Sequence, residues 1–169
     1  RSPDVLLPLS LAAHPPGRAT LVAMSTNPET PQWSALTARV WTAVVEPEAV
    51  TCGLVAGDDH VLLIDTGSAP EQGHALAMSA ACMLGRPVDR VVITHHHYDH
   101  SGGLPGIDGA ETWMHEAALA HCPDLRVDHP IALMAYVDLG GVGAEVIHPG
   151  PAHTDGDLVV IVRDEKVTF

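Results

Sequence analysis

A chain of 169 residues is long enough for one domain with a real core, and 46% hydrophobic with 17% charged residues is a globular composition. Its 21 acidic and 8 basic residues give a formal charge of −13, a surface that repels phosphate backbones and argues against nucleic acid as a partner. No run approaches the about eighteen unbroken apolar residues of a membrane span, so no membrane partner is expected.

Residues 1–38 are rich in Pro, Ser, Thr and Ala without a sustained period and read as an extended or poorly ordered arm. The first residue is Arg1 rather than Met, so an upstream piece is expected to have been removed or left out. The apolar run 5–13 has a faint likeness to a secretory signal, but Pro8 breaks it and no strong basic region precedes it. No compartment follows, with a slight lean to the cytoplasm.

A domain is expected over 39–169. Its first elements are strands at 40–45 and 50–56, a turn at Gly57-Asp58-Asp59, and the fully apolar run Val61-Leu62-Leu63-Ile64, typical of a strand buried on both faces. Residues 71–84, rich in Ala, Met and Leu, predict a helix with Gly85 as its stop. A strand at 88–93 completes an α/β unit, whose ligands are expected at the carboxyl ends of the strands. A strand at 110–114, a short helix over 115–121 and strands at 144–147, 158–162 and 167–169 follow. Pro and Gly punctuate residues 123–143, where the pattern places no element.

The run Thr94-His95-His96-His97-Tyr98-Asp99-His100-Ser101-Gly102-Gly103 carries the chemistry. It directly follows an apolar strand. On a loop, His95 and His97 can turn their imidazoles to one point, while Asp99 and His100 address a neighbouring one. Imidazole nitrogen and carboxylate oxygen are ligands zinc accepts at about 2.0–2.2 Å. A solvated His-rich loop is the plain alternative, but the interleaved Asp99, the strand before it and the glycines after it favour a metal loop.

The same run matches the HxHxDH motif of the metallo-β-lactamase superfamily, and two further segments resemble that family in order and spacing. Leu63-Ile64-Asp65-Thr66-Gly67 is similar to the strand-turn whose aspartate braces the metal loop. Gly150-Pro151-Ala152-His153-Thr154-Asp155-Gly156-Asp157 is similar to the turn that bears the third histidine. The resemblance covers about 40–169. It implies an α/β sandwich of two mixed β-sheets flanked by helices, its second half incomplete. It also implies His95, His97 and His153 as ligands of a first zinc, Asp99 and His100 as the start of a second site, and one or two Zn2+ per chain. Asp65 would lie behind the ligands and orient the loop. Ala152 stands where the family usually has Gly, and the chain stops at Phe169, before the bridging Asp or Cys and the last histidine.

The function so implied is a zinc-dependent hydrolase in which metal-bound hydroxide attacks a carbonyl, with Asp99 as the catalytic carboxylate. A small-molecule ester, lactone, thioester or β-lactam would be the substrate; the His at position 100 favours the first three. An inactive zinc-binding fragment or an assembly subunit is the alternative, with self-association expected through an exposed edge strand at 167–169. A remoter reading takes Asp65-Thr66-Gly67 as half of a dimeric aspartic protease.

Weaker signals have plainer readings. His115-Glu116 with His121 has a six-residue spacing rather than HExxH and reads as a surface helix. His148 either lines the pocket or ends a strand, and His14, His60, His74 and His129 read as solvated. Cys52, Cys82 and Cys122 form no CxxC pair and read as packing thiols. Gly-x-Ser-x-Gly and phosphate-binding glycine loops are missing.

Overall fold

A computed structural model describes residues 30–169. The apolar run 5–13 and His14 lie outside them. Two sheets pack face to face. The first has seven strands in chain order: β1 (Ser34–Ala35), β2 (Val40–Val45), β3 (Val50–Ala56), β4 (Val61–Ile64), β5 (Arg90–Val92), β6 (Glu111–His115) and β7 (His129–Ile131). Strands β1 to β4 pair antiparallel and β4 to β7 parallel. The second is a four-stranded meander of β8 (Met134–Asp138), β9 (Gly143–Ile147), β10 (Val159–Val162) and β11 (Val167–Thr168), with β8 and β11 at its edges. It is antiparallel throughout rather than mixed: short turns join β8 to β9 and β10 to β11, and the longer segment 148–158 returns β10 antiparallel beside β9.

Alternation in β4 explains the layers. Leu62 and Ile64 face the second sheet, against Val137, Val146 and Val160. Val61 and Leu63 face the other way, onto Leu76, Ala80 and Ala118 of the helices α1 (Pro70–Leu84) and α3 (Glu116–Ala120). All four β4 residues are buried, as the unbroken apolar run predicts. Burying each such side chain contributes about 1.5–3 kcal/mol.

Helix α1 has Pro70 in its first turn, where the missing N–H costs nothing, and ends at Gly85 with φ 73°. The strand expected at 88–93 is shorter, although Asp89 and Ile93 at its ends still hydrogen-bond to the backbones of Val61, Glu111 and Trp113. Three expectations need correction. The arm expected over 1–38 contains β1, which pairs with β2. Residues 123–143 contain β7 and β8, between which the chain crosses from one sheet to the other. Pro130 fits in β7 because that strand lies at an edge. His115 is no surface residue: it is buried and caps α3, accepting the Ala117 N–H on Nδ1. Among the described residues no helix is long and apolar enough to cross a membrane.

Candidate metal centre

The parallel strands β4 and β5 deliver their carboxyl ends side by side, and the site is built on the two loops that leave them. Asp65 follows β4; Thr94 to His97 follow β5 and lead into the single-turn helix α2 (Tyr98–Ser101). The turn 152–157, between β9 and β10, closes the third side.

Asp65 organises the loop. It is buried, and its Oδ1 accepts the backbone N–H of Thr94 at 2.8 Å. Its Oδ2 accepts the Thr94 hydroxyl at 2.8 Å and Nδ1 of His100 at 2.7 Å. These contacts fix a tautomer. The Thr94 hydroxyl has one proton, and Asp65 takes it. Thr94 Oγ1, 3.0 Å from His95 Nδ1, must therefore accept that ring's N–H. The His95 lone pair then sits on Nε2, which is buried and has no hydrogen-bond partner. Burial, then the neighbouring charge of His100, lowers the His95 pKa to about 4, so the ring is neutral across the physiological range.

His97 and His153 complete the cluster. His153 Nε2 lies 3.1 Å from His97 Nδ1, and one ligand atom from each of His95, His97 and His153 lies within 4.8 Å of the others. Three nitrogens at about 2.0–2.1 Å from one tetrahedral ion stand about 3.3–3.4 Å apart. The converging lone pairs and the orphaned His95 Nε2 therefore suit a metal ion. His153 is held by its own turn: Asp157 accepts the N–H of His153 at 2.6 Å and that of Thr154 at 3.0 Å. Burial pushes the Asp157 pKa up, but the Thr154 and His153 hydrogen bonds outweigh it and hold the carboxyl below its ordinary range.

Asp99 and His100 lie beside this trio rather than in it. The His100 ring stands 4.1 Å from that of His95, and Asp99 Oδ2 lies 3.7 Å from His100 Nε2. Burial lowers the His100 pKa, but the Asp65 hydrogen bond and the charges of Asp65 and Asp99 outweigh it and raise the value. A cavity of about 470 Å³ opens over Asp65, His95, His100 and His153, with Phe169 on its wall.

The model of the metallo-β-lactamase superfamily matches residues 45–169, most of the chain. The chain belongs to that superfamily. A metallo-β-lactamase from Pontibacter korlensis is similar at 25% identity and TM-score 0.72, over 82% of this chain and 70% of that one. The β subunit of a Nocardioides 2,4-dinitroanisole O-demethylase is 26% identical over 90% of this chain and 50% of its own. The hydroxyacylglutathione hydrolase of Aliivibrio salmonicida is 30% identical over 65% of this chain and 41% of its own. The chain thus spans about half the length, or less, of these curated relatives.

Within a metallo-β-lactamase fold, Asp65 has no role as half of an aspartic dyad: its carboxylate is buried and committed to Thr94 and His100. Thr94 and Asp157 lie in the quoted motifs, but the sequence did not reveal what they do, since Thr94 works through its hydroxyl between Asp65 and His95 and Asp157 through the backbone N–H groups of its own turn. His148 does not reach the trio; it stacks on His115 and its Nδ1 donates to the Asp157 carbonyl. His60 and His129 are not simply solvated either, pairing with Asp89 and stacking on Trp113. Cys52 is buried as a packing thiol, whereas Cys82 is exposed.

Proposed function

We propose that this chain supplies the zinc centre of a hydrolase that cleaves a small acyl substrate. The observation carrying the reading is the convergence of His95, His97 and His153 with His95 Nε2 buried and unpartnered. These three residues would hold a Zn2+, and Asp99 with His100 would begin a second site. When bound, zinc lowers the pKa of coordinated water to about 7 and polarises a carbonyl.

The chain's own groups do the rest. Thr94 holds His95 in the tautomer that offers Nε2, Asp65 orients Thr94 and His100, and Asp157 sets the position of His153. Asp99, a quarter exposed and 3.7 Å from His100 Nε2, would be the carboxylate that accepts a proton from the attacking water and returns it to the leaving group. The apolar wall at Leu158 and Phe169 suits the acyl part of a substrate. Esters, lactones and thioesters are favoured over β-lactams. The 30% identity to a protein that acts on hydroxyacylglutathione supports the acyl-thioester class.

A second reading, a metal-binding subunit working with another chain, is favoured by the relative that matches 90% of this chain and is itself named a subunit. One experiment separates the two. Zinc content and turnover of chromogenic thioester and lactone substrates are measured for the wild type and His97→Ala. Turnover in the wild type that His97→Ala abolishes, with zinc lost, supports the hydrolase. Bound zinc without turnover supports the subunit. Equal zinc in both proteins would overturn the ligand assignment.

A further inference from the structure

We propose that His96, His121 and Asp155 form a second site for a divalent transition-metal ion of the zinc class, adjoining the His95–His97–His153 cluster through the His96 and His97 rings, whose centroids are 5.0 Å apart. His95 and His96 lie in a bend, from which the His96 ring stacks on His121 while His95 and His97 converge with His153. The turn 152–157 serves both clusters, with His153 on one and Asp155 on the other. Each cluster opens into its own cavity: the first into the 470 Å³ space walled by Phe169, the second into one of about 410 Å³ lined by His96, His121, Tyr98, Pro105 and Leu125.

The second cluster has the donor set and the spacing of a cation site. One ligand atom from each of His96, His121 and Asp155 lies within 4.8 Å of the other two. His121 Nε2 is 3.0 Å from Asp155 Oδ2, and the His96 and His121 rings stack with centroids 4.2 Å apart. Two imidazoles and one carboxylate are the ligands zinc accepts, with a fourth position left for water. The side chains of His121 and Asp155 are about half exposed, so they are free to turn towards an ion. An independent sign is that Nδ1 of His96 is buried with no hydrogen-bond partner. A packed surface histidine has no reason to leave that atom unmatched. An ion here would clip the end of α3, through His121, to both loops that carry the first cluster.

The test uses the full chain, stripped of metal and titrated with Zn2+ alone by calorimetry and equilibrium dialysis. Wild type, His121→Ala, Asp155→Asn, His153→Ala and the His121→Ala/His153→Ala pair are compared, with circular dichroism to check folding. The proposal expects His153→Ala to keep one equivalent that is lost, or weakened at least about tenfold, when His121→Ala is added. It also expects the near-isosteric Asp155→Asn to weaken one equivalent of the folded protein by the same factor. Unchanged stoichiometry and affinity in both His121→Ala and Asp155→Asn would overturn it. Loss of all zinc in His153→Ala alone would overturn it too. The His95–His97–His153 assignment fails by a different result, a His153→Ala protein that binds as much zinc as the wild type.

Discussion

Asp65 Oδ2 accepts a 2.7 Å hydrogen bond from His100 Nδ1, while the Asp65 backbone sits in the left-handed region at φ 60°. The turn after β4 thereby aims one carboxylate at three donors: the Thr94 N–H, the Thr94 hydroxyl and the His100 ring. Asn in its place has one accepting oxygen and turns N–H groups towards donors. Asp65→Asn is therefore expected to lower zinc affinity about 10–100-fold with the fold retained. Competition against a chromophoric chelator measures this, and unchanged affinity would show that the loop holds itself.

Asp157 performs the same service for His153. Its carboxylate closes a short turn on the backbone N–H groups of His153 and Thr154 and on the Thr154 hydroxyl. Asp157→Ala releases the turn, and zinc affinity should fall about tenfold or more. Asp157→Asn keeps one accepting oxygen and should recover part of the loss. Thr154→Val removes the hydroxyl, with its bonds to Asp157 and to the Gly156 N–H, but leaves the Asp157 carboxylate on both backbone N–H groups and should be the mildest of the three. The same competition measurement ranks them; equal affinities would separate His153 from its turn.

Two kinds of feature were legible in the sequence, and two were not. β4 and α1 were readable because each carries a local signature, an unbroken apolar run and an Ala-rich stretch stopped by Gly85. The loop after β5 stood out in the sequence because four potential ligands, His95, His97, Asp99 and His100, crowd into six residues after a buried strand. β8 was not, since as an edge strand it alternates exposed Met134 and Tyr136 with inward Ala135 and Val137 inside a segment broken by Gly and Pro. The juxtaposition of His96, His121 and Asp155 was hidden as well, because the three residues come from separate stretches of the chain and no motif links His121 to the other two.

Backbone packing behind the site makes a sharper prediction. A Cβ at Gly103 would stand 1.9 Å from the Thr66 carbonyl oxygen, and one at Gly73 would stand 2.0 Å from the Gly103 oxygen. Gly103 has φ −81°, which any residue adopts, so space alone demands glycine. The obstructing atoms are backbone and cannot turn aside. Gly103→Ala should therefore destabilise by about 3 kcal/mol or more, as overpacking against a rigid wall. Urea unfolding of the metal-free protein measures it. A loss under about 1 kcal/mol would mean that α1 and the metal loop can separate at little cost.

Asp89 gives stability a pH dependence remote from the metal cluster. Burial raises its pKa, but the His60 hydrogen bond, the Val61 N–H and the charges of His60 and Arg90 outweigh it, so the value lies below the ordinary one. A carboxylate with a depressed folded pKa binds fewer protons folded than unfolded. Its stabilisation is full above the unfolded value of about 3.9 and is lost as pH falls through the folded value. Asp89→Asn should therefore cost about 1–2 kcal/mol at pH 7, on the scale of hydrogen bonds to a charged group. The difference from wild type should begin to shrink as pH falls below about 4, where the unfolded carboxyl protonates, and the ionic contribution should be gone once pH is below the lower folded value and the wild-type carboxyl is neutral in both states. Urea midpoints at pH 7, 5 and 3 test this. A constant gap between the two proteins would assign the effect to packing, and a gap that widens in acid would reverse the sign argued for the carboxylate.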